Sequence, residues 1–229
     1  MKLQATDIGR MASASEVIFE SLRDAITRGD LAEGEALRQD HIARLFNVSR
    51  IPVREALTRL EEQGFVATQR YKGAVVSSLS IAEIEEIFDF RALLETEVIR
   101  LSVARITEGA LARAAEACRA FAREGDPAQW GELNRRFHYA LYEDAGRPYY
   151  LQTIGAALDK VERYLRAQLI LTDGMATARA EHEAILDACL ARDAGRAADL
   201  TRAHIRDAGR SLIGFLERTR PAAGDGVPG

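Results

Sequence analysis

Cysteine is nearly absent from this chain: Cys118 and Cys189 are the only two among 229 residues. Each stands in an alanine-rich helical pattern. The pair permits a disulfide on parity, but nothing around either thiol recommends one, and two small reduced core residues are expected. Long apolar runs are missing as well. No segment approaches the roughly 20 apolar residues that a membrane-spanning helix needs, and Met1 to Asp7 has no apolar signal region behind Lys2. A cytoplasmic protein without a membrane partner is the expectation. A large excess of charge is also lacking. The net charge of −4 argues against a chain that coats nucleic acid over its whole surface, yet it leaves room for a local basic face. Histidine occurs four times, and no His-Glu-x-x-His helix of the kind that positions a general base beside hydrolytic zinc is present.

What the chain does have is apolar residues in helical rhythm. With 47% hydrophobic residues, it can fill one large core or two modest ones. A first amphipathic helix is predicted from Ser13–Ser15 through Val17, Ile18, Leu22, Ala25 and Ile26 to a stop at Gly29. Leu37, Ile42, Ala43, Leu45 and Phe46 form a second, shorter apolar face, after a polar turn over Leu31 to Glu35. The third helix is the most informative. Ser49 stands at the N-cap position, Pro52 falls in the first turn, and Gly64 stands where the helix ends. Val53, Ala56, Leu57 and Leu60 give it a packing face, while Arg50 and Arg54 make its exposed beginning basic. Two β-prone runs follow, Phe65–Gln69 and Ala74–Ser77, joined by Arg70-Tyr71-Lys72-Gly73, which supplies a hairpin glycine.

Helix, tight turn and a second helix with a basic start is the helix-turn-helix pattern, in which the second helix enters the major groove. From Ala36 to Ser78 the chain holds seven Arg or Lys against four Asp or Glu, so this segment is positive inside a negative protein. The residues Glu35-Ala36-Leu37-Arg38, Ile42-Ala43-Arg44-Leu45 and Val48-Ser49-Arg50-Ile51-Pro52-Val53-Arg54-Glu55-Ala56-Leu57 resemble the winged helix of GntR-family transcription regulators. The resemblance implies that Arg38, Arg50 and Arg54, with Ser49 and Pro52 at the same helix start, meet a palindromic double-stranded operator. It also implies that Lys72-Gly73 at the wing tip reaches the minor groove. Arg44 and Arg59 read either as phosphate-facing or as solvated charges.

From Ser80 the β signals cease. Ser80-Ile81-Ala82-Glu83 is a capping box opening a helix through Ile84, Ile87, Phe88, Leu94, Val98 and Leu101. Further helices are predicted over Thr107–Glu124, Ala128–Ala145, Tyr149 to about Leu171, Met175–Arg192 and Gly195 to about Arg218. The fold expected is mainly α. A winged helix-turn-helix with a small β-wing occupies residues 1–78 and an all-α bundle 79–220, with a disordered tail over 221–229.

His138, His182 and His204 lie on three separate predicted helices of that bundle, and Asn134 precedes His138 by one turn on the same face. Spacing alone leaves two readings: partly buried imidazoles satisfied by their neighbours, or a divalent metal site of the kind that suits zinc, nickel, manganese or iron. The segments Phe137-His138-Tyr139-Ala140-Leu141, Glu181-His182-Glu183-Ala184-Ile185 and Ala203-His204-Ile205 resemble the ligand-bearing helices of the FCD effector domain, which accompanies this winged helix in the FadR-type branch. That resemblance implies a metal, zinc first, held by Asn134, His138, His182 and His204. The family often has aspartate where Asn134 stands, so a less charged site is expected. It further implies that Arg91 meets a small organic acid effector, against the alternative of an Arg91–Glu95 salt bridge one turn apart. Homodimerisation follows from the resemblance and from the two-fold logic of helix-turn-helix binding. Two other functions remain as alternatives: a metal-dependent enzyme built in the bundle, and an effector-independent DNA-bridging protein.

Overall fold

The computed structural model describes residues 13–172 and 174–219. The tail expected over 221–229 and the first eleven residues lie outside the described residues. The chain divides into two compact units, Met1–Ser78 and Leu79–Gly229.

The first unit contains α1 (Ala14–Arg28), α2 (Gln39–Leu45), α3 (Arg50–Glu62), β1 (Val66–Gln69) and β2 (Gly73–Val76). Ser13 Oγ caps α1 by accepting the Glu16 N–H at 3.1 Å, and Gly29, at φ 79°, closes it in the left-handed conformation that glycine adopts cheaply. Between α2 and α3 the chain turns at Asn47, whose φ of 51° is tolerated by asparagine better than by most side chains. Ile18, Phe19 and Ile26 of α1 pack with Ile42 of α2 and with Val53, Leu57 and Leu60 of α3. Each such side chain, fully buried, contributes about 1.5–3 kcal/mol. The strands pair antiparallel from Val66 opposite Val76 to Gln69 opposite Gly73. Residues before α2 join the free edge of β2: Leu37 N–H donates to Ala74 O at 2.8 Å and Val76 N–H to Glu35 O at 2.9 Å. From the sequence, Glu35 belongs to a polar turn and Leu37 to the next apolar helical face, and the structure pairs both with β2 instead.

The second unit contains α4 (Ile81–Val103), α5 (Glu108–Arg123), α6 (Pro127–Tyr142), α7 (Pro148–Leu171), α8 (Gly174–Leu190) and α9 (Ala194–Thr219). The capping box at Ser80 and Glu83 is formed in both directions. Helix α6 ends earlier than its apolar pattern suggests, because Glu143–Ala145 tighten into a 3-10 turn before Gly146, at φ 58°. Helices α4 and α9 pack closely: a Cβ on Gly209 would lie 2.8 Å from Phe88 Cγ. Ile99, Phe137, Leu141, Ile185 and Ala197 fill the middle of the bundle, where Cys118 and Cys189 are free and buried. One layer of this core is polar: Arg91, Glu95, His138, His182 and His204 are all buried there.

Candidate nucleic-acid interface and metal centre

In the first unit, Arg38, Arg44, Ser49, Arg50, Arg54, Lys72 and Gly73 are exposed, and Pro52 is half-buried. Ser49 occupies the N-cap of α3 at ψ 170°, but its side chain makes no capping hydrogen bond. The first-turn N–H groups are therefore uncapped by it, and its hydroxyl is open to solvent. Arg50 forms an exposed ion pair with Asp40 of α2, a contact of the kind worth at most about 1 kcal/mol and easily exchanged for a phosphate. Tyr71, 91% exposed at the wing tip with φ 69°, has the Arg70 guanidinium 5.0 Å from its ring centre. An aromatic residue between Arg70 and Lys72 in the turn is a signal that the sequence itself carries, and Tyr71 is absent from the residues expected at the operator.

Arg59 is placed differently from its neighbours. Its Nη1 donates to Glu16 Oε2 at 2.6 Å, and its guanidinium lies 4.1 Å from the centre of the Phe19 ring. It ties α3 to α1. The hydrogen bond from Arg59 also holds the Glu16 carboxyl below the usual range. The guanidinium that reads from the sequence as phosphate-facing or solvated is engaged in packing the unit.

In the second unit, the helices bring the three histidines together. Ligating nitrogens of His138, His182 and His204 lie within 4.8 Å of one another. Ring centres are 5.0 Å apart for His138–His182, 5.2 Å for His138–His204 and 5.0 Å for His182–His204. Hydrogen bonds fix two of the rings. Tyr142 Oη donates its single proton to Glu95 Oε2 at 2.9 Å, so toward His138 it acts as acceptor, and His138 Nδ1, 3.2 Å away, carries the proton. His204 Nδ1 donates to Glu181 Oε2 at 2.7 Å. In both rings the lone pair is thereby left on Nε2. His138 Nε2 and both nitrogens of His182 are buried without a hydrogen-bond partner among the described residues.

Two imidazoles with buried, unsatisfied ring nitrogens, His138 and His182, are costly unless something binds them. Burial, reinforced by the neighbouring rings, pushes the pKa of His138 and of His182 well below the ordinary value, which keeps both neutral and able to ligate. The donor set therefore fits a divalent ion. Asn134, on α6 one turn before His138, lines the adjoining cavity of about 160 Å³ together with His204, Glu181 and Arg91. Arg91 Nε donates to Glu95 Oε1 at 2.8 Å, and the same side chain lines the cavity. The two sequence readings of Arg91 are thus compatible. Sequence reasoning gave Glu181 and Tyr142 no role. Tyr142 was within reach, being four residues after His138, whereas Glu181 meets His204 only through the packing of α8 on α9.

The bacterial regulatory proteins of the gntR family match residues 14–76, and the FCD domain matches residues 86–207. The chain is a GntR-family transcription regulator with an FCD domain. The HTH-type transcriptional repressor GlaR of Escherichia coli strain K12 is 30% identical over 200 residues, which cover 82% of this chain and 90% of that protein. The uncharacterized HTH-type transcriptional regulator BphR of Paraburkholderia xenovorans strain LB400 is 30% identical over 207 residues, 86% of this chain and 84% of that one. Among solved structures, a putative transcriptional regulator GntR from Rhodococcus sp. RHA1 superposes with a TM-score of 0.76 at 24% identity. It covers 89% of this chain and 99% of its own. Escherichia coli McbR/YncC does so with a TM-score of 0.75 at 22% identity, over 91% and 99%. These two share the fold. GntR-family membership makes this chain a DNA-binding regulator and not an enzyme, and none of its helices, among the described residues, is long and apolar enough to cross a membrane.

Proposed function

We propose that this GntR-family regulator binds a palindromic operator as a homodimer, and that a divalent ion with a small organic acid in the FCD domain sets its operator affinity. The observation that carries the reading is the buried trio of imidazoles, two of them with Nδ1–H held by Glu181 and Tyr142, beside a cavity that contains Arg91. His138, His182 and His204 would hold the ion, with Asn134 as an oxygen donor. Zinc suits three imidazoles best, with nickel, manganese and iron as alternatives. All four donors are neutral, so the ion keeps its full positive charge and favours an anionic ligand. A bound ion would supply coordination positions for a carboxylate oxygen. Arg91 supplies planar donors to the same anion from a buried position.

At the DNA, Arg38, Arg50 and Arg54, with Ser49 and Pro52 at the start of α3, form the proposed major-groove surface. Arg44 lies on its phosphate-facing flank, and Lys72-Gly73 is the wing contact. Arg59 is left out of this interface because its guanidinium both pairs with Glu16 and lies over the Phe19 ring, which ties α3 to α1. Two half-sites about 34 Å apart would match a two-fold dimer.

The test is retardation of palindromic DNA from the chain's own promoter region by Zn²⁺-loaded protein, with and without succinate, lactate and citrate. At least one acid should shift the operator affinity by roughly fivefold or more. An operator affinity unchanged by metal and by every acid would refute the proposal.

A further inference from the structure

Five side chains that carry acid or guanidinium groups line the cavity next to the imidazoles: Arg91, Glu162, Arg166, Glu181 and Asp207. Four are already engaged. Arg91 holds Glu95, Glu181 holds His204, Glu162 accepts from Arg135 Nη2 at 3.1 Å, and Asp207 is paired with Arg210. Arg166, on α7, forms no hydrogen bond or ion pair among the described residues.

Its natural partner is nearby but turned away. Glu162 lies four residues earlier on the same helix, in the Glu-then-Arg order that pairs readily along a helix face. Instead Glu162 leans onto α6, over Gly131, where a Cβ would overlap its carboxylate. There Arg135 takes it, and Arg135 pairs with Asp159 as well. The absence of a side chain at Gly131 and the presence of Arg135 together leave the Arg166 guanidinium to the cavity. The lining of this cavity is largely apolar and includes Trp130, Leu165 and Ile205. A cavity of about 160 Å³ admits a short carbon chain.

We propose that Arg166 determines effector specificity by receiving a second carboxylate, so that the ligand of this site is a short-chain dicarboxylate. One carboxylate lies at the end formed by Arg91 and the imidazoles, and the other forms a charge-assisted pair with Arg166. This rests on the organic-acid reading above and adds the acid's class.

The experiment uses the full-length, Zn²⁺-loaded chain and calorimetric titration with length-matched probes: succinate against butyrate, and glutarate against pentanoate. In the wild type, at least one dicarboxylate should bind roughly tenfold or more tightly than its monocarboxylate partner. Arg166→Gln should remove that preference by weakening the dicarboxylate alone, with monocarboxylate affinity, Zn²⁺ affinity and melting temperature little changed. Gly131→Ala, which displaces Glu162 and offers Arg166 an internal partner, should reduce the preference in the same direction. Equal wild-type affinity for the paired acids, or a preference that survives Arg166→Gln, overturns the assignment of Arg166 and leaves the organic-acid reading standing. If no acid of either kind binds the wild type, the organic-acid reading fails and takes this inference with it.

Discussion

His204 Nδ1 lies 2.7 Å from Glu181 Oε2, and this one bond sets the tautomer of a buried imidazole at the centre of the FCD domain. With the proton held on Nδ1, the lone pair sits on Nε2. A carboxylate behind a ligating histidine also raises its basicity and fixes its ring. Glu181→Gln retains the shape of the side chain but removes the charge. It is expected to weaken divalent-ion binding by about 10–100-fold, read by competition with a chromophoric chelator, while the metal-free protein melts within a few degrees of the wild type.

The arginines of the winged helix should separate by mutation. Arg54 is exposed on α3, and its replacement by Ala should cost about 1–3 kcal/mol of operator binding. Lys72→Ala should lower the salt dependence of binding by about one unit of slope. Arg59→Ala should do neither directly. It removes the contacts to Glu16 and Phe19 and should lower the denaturation midpoint of the unit while leaving the salt slope unchanged.

Burial pushes the Cys189 thiol up to about 12. In the unfolded chain a thiol ionises near 8.5. Between those two values the folded state keeps a proton that the unfolded state has lost, so stability falls as pH rises, by up to about 1.4 kcal/mol per pH unit from this group. Urea midpoints measured from pH 8 to 10.5 should decline more steeply for the wild type than for Cys189→Ala. Native Cys189 should also resist iodoacetamide at pH 8, where unfolded protein is alkylated readily.

Gly209→Ala places a methyl 2.8 Å from Phe88 Cγ, where α9 meets α4. Overpacking of this kind costs about 1–3 kcal/mol. Thermal unfolding should register a lower midpoint, and Phe88→Leu in the same chain should recover part of it.

Much of the architecture was legible because local signals and burial agree. Ser80 with Glu83 announced the start of α4, Gly29 the end of α1, and Arg70 to Gly73 the wing. Where signals depend on packing, the sequence was silent. The pairing of Glu35 and Leu37 with β2 is one case, since an extended edge two residues long has no periodicity to read. Arg59 is another: on a helix diagram it falls beside the basic face, and only the approach of α1 shows that Glu16 and Phe19 receive it. At the histidine layer, the one-turn relations His138–Tyr142 and Arg91–Glu95 lay within single helices and were open to inspection. The Glu181–His204 bond, the turning of Glu162 toward Arg135 and the freedom of Arg166 all arise between helices, which no spacing rule reaches.

His138, His182 and His204 are proposed to form a metal centre. X-ray absorption at the zinc edge, on protein reloaded with one equivalent of Zn²⁺, tests it most directly. One tightly held ion per chain with imidazole nitrogens at about 2.0–2.1 Å is expected, with loss of that ion in His182→Gln. Failure of the wild type to retain zinc, or retention of the same imidazole signal by His182→Gln, would contradict it.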